Sequence, residues 1–117
     1  MPINQYSEID RLDAMMAACF AAVSEHFSHL AVSEIIEPPH QCFDAALARQ
    51  IALHIMIRAF DVPKRRVVEM QGRSREAINR CLRIIDDRCL SEVFHHQYEK
   101  MAGRARALLL EQMAEAA

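Results

Sequence analysis

Apolar residues near the start of the chain recur every three or four positions: Ile9, Leu12, Met16, Cys19, Val23, Phe27 and Leu30. That spacing lays one apolar stripe along an α-helix. Ser7 precedes the stripe as an N-cap residue, with Asp10 three positions later, so the pattern predicts a helix starting after Ser7 and running to about His29. The stripe is wide enough to face a core or the same stripe on a second copy, and its spacing leaves both open. Residues 33–36 read as a short helical turn. Pro38 and Pro39 then break the chain, because proline removes an amide donor and restricts the residue before it.

A loop to about Phe43 leads into a second long helix, residues 44–60, with Leu47, Ile51, Ile55 and Ala59 on one face and Arg49 and Arg58 elsewhere on its surface. It closes before Asp61. Pro63 suits the first turn of the next helix, where its missing N–H would be unpaired anyway. Residues 64–70 carry Val67, Val68 and Met70 inward, Gly72 permits a tight turn, and residues 75–88 bury Ile78, Leu82 and Ile85. Two short helices joined by a glycine-containing turn are what a helix-turn-helix requires, here over residues 62–88. A last helix, about 92–114, has Phe94, Tyr98, Met101, Ala105, Leu108, Leu109 and Met113 at helical spacing. Nothing repeats internally. The pattern thus predicts one domain, 1–117, that is all-α: a compact helical bundle containing a helix-turn-helix, with long N- and C-terminal helices.

Composition strengthens the helical reading, since the 117 residues include only two glycines, too few for the turns of a multi-stranded sheet. The four cysteines, Cys19, Cys42, Cys81 and Cys89, follow no paired short spacing, and no basic-then-apolar secretory pattern opens the chain. No apolar run approaches the roughly 20 residues that span a bilayer. Reduced thiols, a cytoplasmic location and no membrane partner are expected. The net charge of −2 hides an asymmetry: residues 49–88 hold ten of the fourteen Lys and Arg against five acids, so that window is +5 and the rest is −7. Screening limits distant charges to about 8 Å at physiological salt, so such a window can attract phosphate within an acidic chain.

Two stretches carry a family likeness. They are VSEHFSHLAVSEII at 23–36 and residues 48–88, which open with ARQIAL and contain GRSREAINRC and IIDDR. They resemble the C-terminal DNA-binding domain of the bacterial replication initiator DnaA, most closely its short stand-alone form without the ATPase, in which a phrase like IIDDRCLSEVF recurs. The resemblance covers about residues 16–94. It implies a helical bundle whose helix-turn-helix reads a short double-stranded DNA site, the second helix in the major groove and a basic loop in the minor groove. Gly72 and Arg73 match the family's Gly-Arg turn. The following Asp-His-Thr-Thr or Asp-Arg-Thr-Thr of the family is Ser74, Arg75, Glu76 and Ala77 here, which retains only the arginine. The family's basic loop ahead of ARQ is replaced by residues 37–47, with two acids and no Lys or Arg.

Opposite Ile78, Leu82 and Ile85, the fourth long segment turns Glu76, Asn79, Arg80, Arg83 and Asp87 outward. Arginine presents two donors to guanine and asparagine a donor and an acceptor to adenine, while Glu76 can accept from cytosine. Lys64, Arg65 and Arg66 sit at a helix start, where phosphate would also meet free amides. The DNA-binding candidates are therefore Lys64, Arg65, Arg66, Arg73, Ser74, Arg75, Asn79, Arg80 and Arg83. The expected function is a double-stranded DNA-binding regulator of transcription or replication, whose specificity differs from that of DnaA. The competing reading of the same charges is an exposed helix with i,i+4 pairs Glu76–Arg80 and Arg83–Asp87, on a protein-interaction or dimerisation module that uses the first or last helix. No cofactor, metal or catalysis is expected. His26 with His29, His40 with Cys42, and Cys89 with His95 and His96 lack a specific ligand spacing, Cys81 faces the core, and His54 reads as a packed or half-exposed histidine.

Overall fold

The side chain of Ser7 accepts a hydrogen bond from the Asp10 amide at 3.3 Å and starts α1, Glu8–His26. This is the expected N-cap, and Glu8 and Asp10 add negative charge where the helix dipole favours it. The computed structural model describes residues 7–27, 35 and 43–116. Leu30, the short turn at 33–36 apart from the buried Ile35, the Pro38–Pro39 break and most of the loop to Phe43 lie outside the described residues. So do His29, His40 and Cys42. Four further helices follow among those described: α2 Phe43–His54, α3 Lys64–Gln71, α4 Arg75–Arg88 and α5 Glu92–Ala116. The chain is all-α. Among the described residues no helix is long and apolar enough to cross a membrane.

The apolar stripe of α1 is used within the chain. Met16, Cys19 and Val23 are buried in the common core with Phe20 and Ala22, whereas Ile9, a turn ahead of the packed stretch, is exposed. The long α5 runs antiparallel to α1: Glu25 near the end of α1 meets Arg104, while Arg11 and Met15 near its start face Leu109 and Met113. Tyr98, Met101, Ala102 and Ala105 form the buried side of α5.

α2 is the centre of the molecule, packed against α1 on one side and α4 on the other. Its environment corrects two expectations. Arg49, expected on the surface, is only 6% exposed and donates from Nη2 to Gln71 Oε1 at 2.8 Å. A single apolar face implies one packed side, but α2 is covered nearly all round, from Ala45 and Ala48 through Ile51, Ala52 and Leu53, and the burial continues beyond it to Ile57. The other correction concerns the expected helix over 44–60, which is α-helical only to His54. It continues over Ile55–Ala59 as a wider π turn, closed by Phe60 N–H to Ile55 C=O at 3.0 Å. Such i→i+5 turns accommodate one extra residue within a helix. Asp61 at φ 56° then ends the run in the left-handed region, which Asp tolerates better than most residues.

Pro63 precedes α3, whose Val67 is fully buried with Val68 and Met70 packed beside it. Gly72 adopts φ 61° and its amide closes α3 onto Val68 C=O, as the tight turn requires. Ser74 caps α4 by accepting from the Ala77 amide at 3.0 Å. Ile78, Leu82 and Ile85 are buried as expected, together with Cys81, whose S–H donates to Gln50 C=O at 3.2 Å.

Candidate nucleic-acid interface

The turn from Gly72 to Ser74 joins α3 to α4, and a bond from Lys64 to Asn79 ties the start of α3 to the side of α4 that also carries Arg80 and Arg83. Arg73, Arg75, Arg80 and Arg83 are all exposed. Among the described residues none of the four makes a hydrogen bond or ion pair, and the i,i+4 pairs Glu76–Arg80 and Arg83–Asp87 are not formed. Arg65 is exposed and equally unengaged. An arginine whose five donors face water is available to an incoming phosphate or guanine edge.

The remaining candidates are partly occupied by the fold. Arg66 pairs with Glu8 at 2.9 Å and Glu69 at 3.4 Å, tying α3 to the first turn of α1. Lys64 donates to Asn79 Oδ1 at 3.1 Å across the two helices. While that bond holds, the Asn79 carbonyl oxygen has one lone pair engaged, so the side chain keeps its full donor capacity and only part of its acceptor capacity for another partner. Ser74 uses its oxygen as the α4 cap. Its replacement by Ala is expected to lower unfolding stability by about 1 kcal/mol, whereas Ser74→Asp, which keeps a capping oxygen, should lose little, as denaturant titration would measure.

A second cluster lies behind this face and was not evident from sequence. His54 Nδ1 lies 2.6 Å from the Tyr98 hydroxyl of α5, and His54 Nε2 lies 2.6 Å from Asp86 Oδ1 in the last turn of α4. Arg58 donates to Asp86 Oδ2 at 3.1 Å. Asp86 carries no acceptor-seeking proton when ionised, so Nε2 holds the hydrogen and Nδ1 accepts from Tyr98 O–H. Burial lowers the His54 pKa from its ordinary value and outweighs the bond to Asp86. Burial pushes the Tyr98 phenol well up, which keeps it a donor. At Asp86 burial acts upward, but bonds from His54 and Arg58 prevail and hold the carboxyl below its usual range. One signal for this cluster was present: His54 and Arg58 are i,i+4 neighbours and the only polar side chains between Ile51 and Phe60, which invites an acidic partner. Sequence spacing could not name Asp86, 32 residues away.

An Asp–His–Tyr chain has the form of a proton relay, but Tyr98 is only 5% exposed, so its hydroxyl is not presented to a substrate. Burial also pushes the Cys19 and Cys81 thiols up to about 12, so both stay protonated. Cys89, His95 and His96 share a shallow surface depression with Glu92 and Glu99. Among the described residues no group of three or more His, Cys, Asp or Glu side chains is placed to hold a metal ion.

Fold and site thus define an all-α protein with an exposed arginine face on a two-helix unit. Comparison with protein-family models, with curated proteins and with solved structures finds no match.

Proposed function

We propose that this chain is a double-stranded DNA-binding protein of the helix-turn-helix type, acting in the bacterial cytoplasm as a regulator of transcription or replication. The observation that carries this reading is the set of exposed arginines Arg73, Arg75, Arg80 and Arg83, which form no hydrogen bond or ion pair among the described residues and lie around the Gly72 turn and along α4. Their supporting side is buried through Ile78, Leu82 and Ile85, so the helix can offer this face without losing its core. The resemblance of ARQIAL and GRSREAINRC to the DnaA C-terminal domain supports the same reading. Ser74, Glu76 and Ala77 in place of the family's contact residues favour a different DNA site. In this reading the protein binds and does not catalyse.

Selection from a random duplex library should enrich a common sequence. Affinity for it should fall with salt at a log–log slope of about −0.9 per phosphate neutralised. No enrichment, together with no binding at low salt, would remove the proposal.

A second reading has its own observation. Leu90 and Val93, 83% and 78% exposed, form an apolar corner between α4 and α5, and Leu110 is exposed further along α5. Such positions suit a partner or a homodimer contact at the C-terminal helix. The N-terminal helix is less suited, because most of its stripe is already in the core. Light scattering distinguishes a dimer from a monomer.

A further inference from the structure

His54 joins three helices at one point. Its ring sits on α2, its Nε2–H holds Asp86 of α4, and its Nδ1 receives the hydroxyl of Tyr98 on α5, edge to face with the tyrosine ring at 5.0 Å between centroids. Asp86 is the only one of the three with substantial exposure, and it belongs to the helix that carries Arg75, Arg80 and Arg83. Arg58, from the π turn, grips the second carboxylate oxygen. The last turn of α4 is therefore fixed by two charge-assisted bonds from α2 and its continuation, in addition to the apolar contact of Ile85.

We infer that His54 is a positioning residue for the arginine face: neutral and protonated on Nε2, it anchors the end of α4 through Asp86 and so sets the angle at which that helix meets DNA. This rests on the DNA-binding reading for its effect on affinity, but the anchoring itself does not. Adding a proton to Nδ1 places an N–H against the Tyr98 O–H. The hydroxyl must then turn round and find another acceptor in a buried site. Among the described residues, the titratable or charged groups around the ring are Asp86 on α4, Arg58 on the π turn and Tyr98 on α5, with Cys19 of α1, Cys89 and Glu99 bordering Tyr98. Asp86 alone favours the protonated ring; Arg58 and burial oppose it.

The folded state binds the His54 proton more weakly than the unfolded chain, so the contribution is fully present above the ordinary histidine range and is lost as pH falls through the lower, folded value. If only the neutral form presents the face correctly, affinity falls by up to about tenfold for each pH unit below that value. General electrostatics predicts the opposite, because a protein gaining positive charge in acid binds DNA more tightly.

The test uses the full chain in two arms. In the first, ring-nitrogen NMR of His54 is followed from about pH 8 to about pH 5, together with the backbone amides of α4. The expected result is a neutral Nε2–H tautomer whose protonation moves the amides of residues 85–88. An Nδ1–H tautomer, or a titration that leaves those amides unmoved, overturns the inference. In the second arm, affinity for the selected duplex is measured over the same range at constant salt, for the wild type and His54→Gln. A wild-type loss in acid, absent from the glutamine variant, supports the inference, and a matching rise in both overturns it. Should His54→Gln fail to fold, Tyr98→Phe keeps the ring and removes the hydroxyl. It should raise the His54 titration and the affinity midpoint together, and an unmoved midpoint counts against the inference. Absence of any duplex binding at neutral pH defeats the DNA reading instead, and the first arm still decides the anchoring.

Discussion

Changing Arg73, Arg75, Arg80 and Arg83 together to Ala should reduce duplex affinity by at least about a thousandfold, taking about 1 kcal/mol for each contact as the low end of the 1–3 kcal/mol range. The four side chains are exposed and form no hydrogen bond or ion pair among the described residues, so their removal leaves no buried charge or orphaned acceptor behind. Surface substitutions of that kind usually change stability by less than about 0.5 kcal/mol each. Fluorescence anisotropy at fixed salt and a parallel thermal melt separate the two effects. The salt slope should also become shallower by about 0.9 for each phosphate contact removed. Arg104, held at 2.8 Å by Glu25 on another part of the surface, supplies the control: Arg104→Ala should leave duplex affinity unchanged. A quadruple variant that binds like the wild type would show that DNA, if bound, is held elsewhere.

The largest loss of stability is expected from the middle of α2. Ile51 is fully buried in a helix packed against both α1 and α4, so Ile51→Ala opens a cavity that neither neighbour can readily fill. Truncations of this type cost about 2–5 kcal/mol, against about 5–15 kcal/mol for the whole fold of a domain. The melting temperature should drop by roughly 10–20 °C, which calorimetry would register. A drop of only a degree or two would mean that α2 is not the centre of the core. Duplex binding below the melting transition should survive, because Ile51 does not reach the surface.

The punctuation of this chain was legible from local chemistry. Ser7 caps α1, Pro63 opens α3 and Gly72 closes it in a left-handed conformation, as read from the sequence, whereas Ser74, read there as a DNA contact, proves to cap α4. The inward residues of α4 followed directly from their spacing, because only one side of that helix is packed. α2 was read less well for the opposite reason. A helix enclosed on several sides buries polar positions too, and periodicity cannot distinguish a surface arginine from one whose stem is enclosed, as at Arg49. The pairs that tie the elements together, His54 with Asp86 and Tyr98, and Arg66 with Glu8, join residues far apart in sequence. Their chemistry is visible in the chain, but their choice of partner depends on the tertiary arrangement. The same holds for the candidate interface. Which residues are basic was plain from the outset, whereas the engagement of Lys64 and Arg66 and the openness of Arg73, Arg75, Arg80 and Arg83 are properties of the folded surface.

The π turn at Ile55–Ala59 has a further meaning for the history and the engineering of this chain. A wide turn is an α-helix carrying one residue more than its hydrogen-bond ladder can use. Each residue added to or taken from a helix rotates everything beyond it by about 100°, the angle between successive side chains at 3.6 per turn. The surplus residue therefore works as a fixed rotation between His54 and Pro63. Arg58, inside the turn, grips Asp86, while Asp61 and Pro63 beyond it redirect the chain into α3. A length change in this short segment would act like turning a key: the sequence on either side could remain identical while the arginine face was aimed elsewhere.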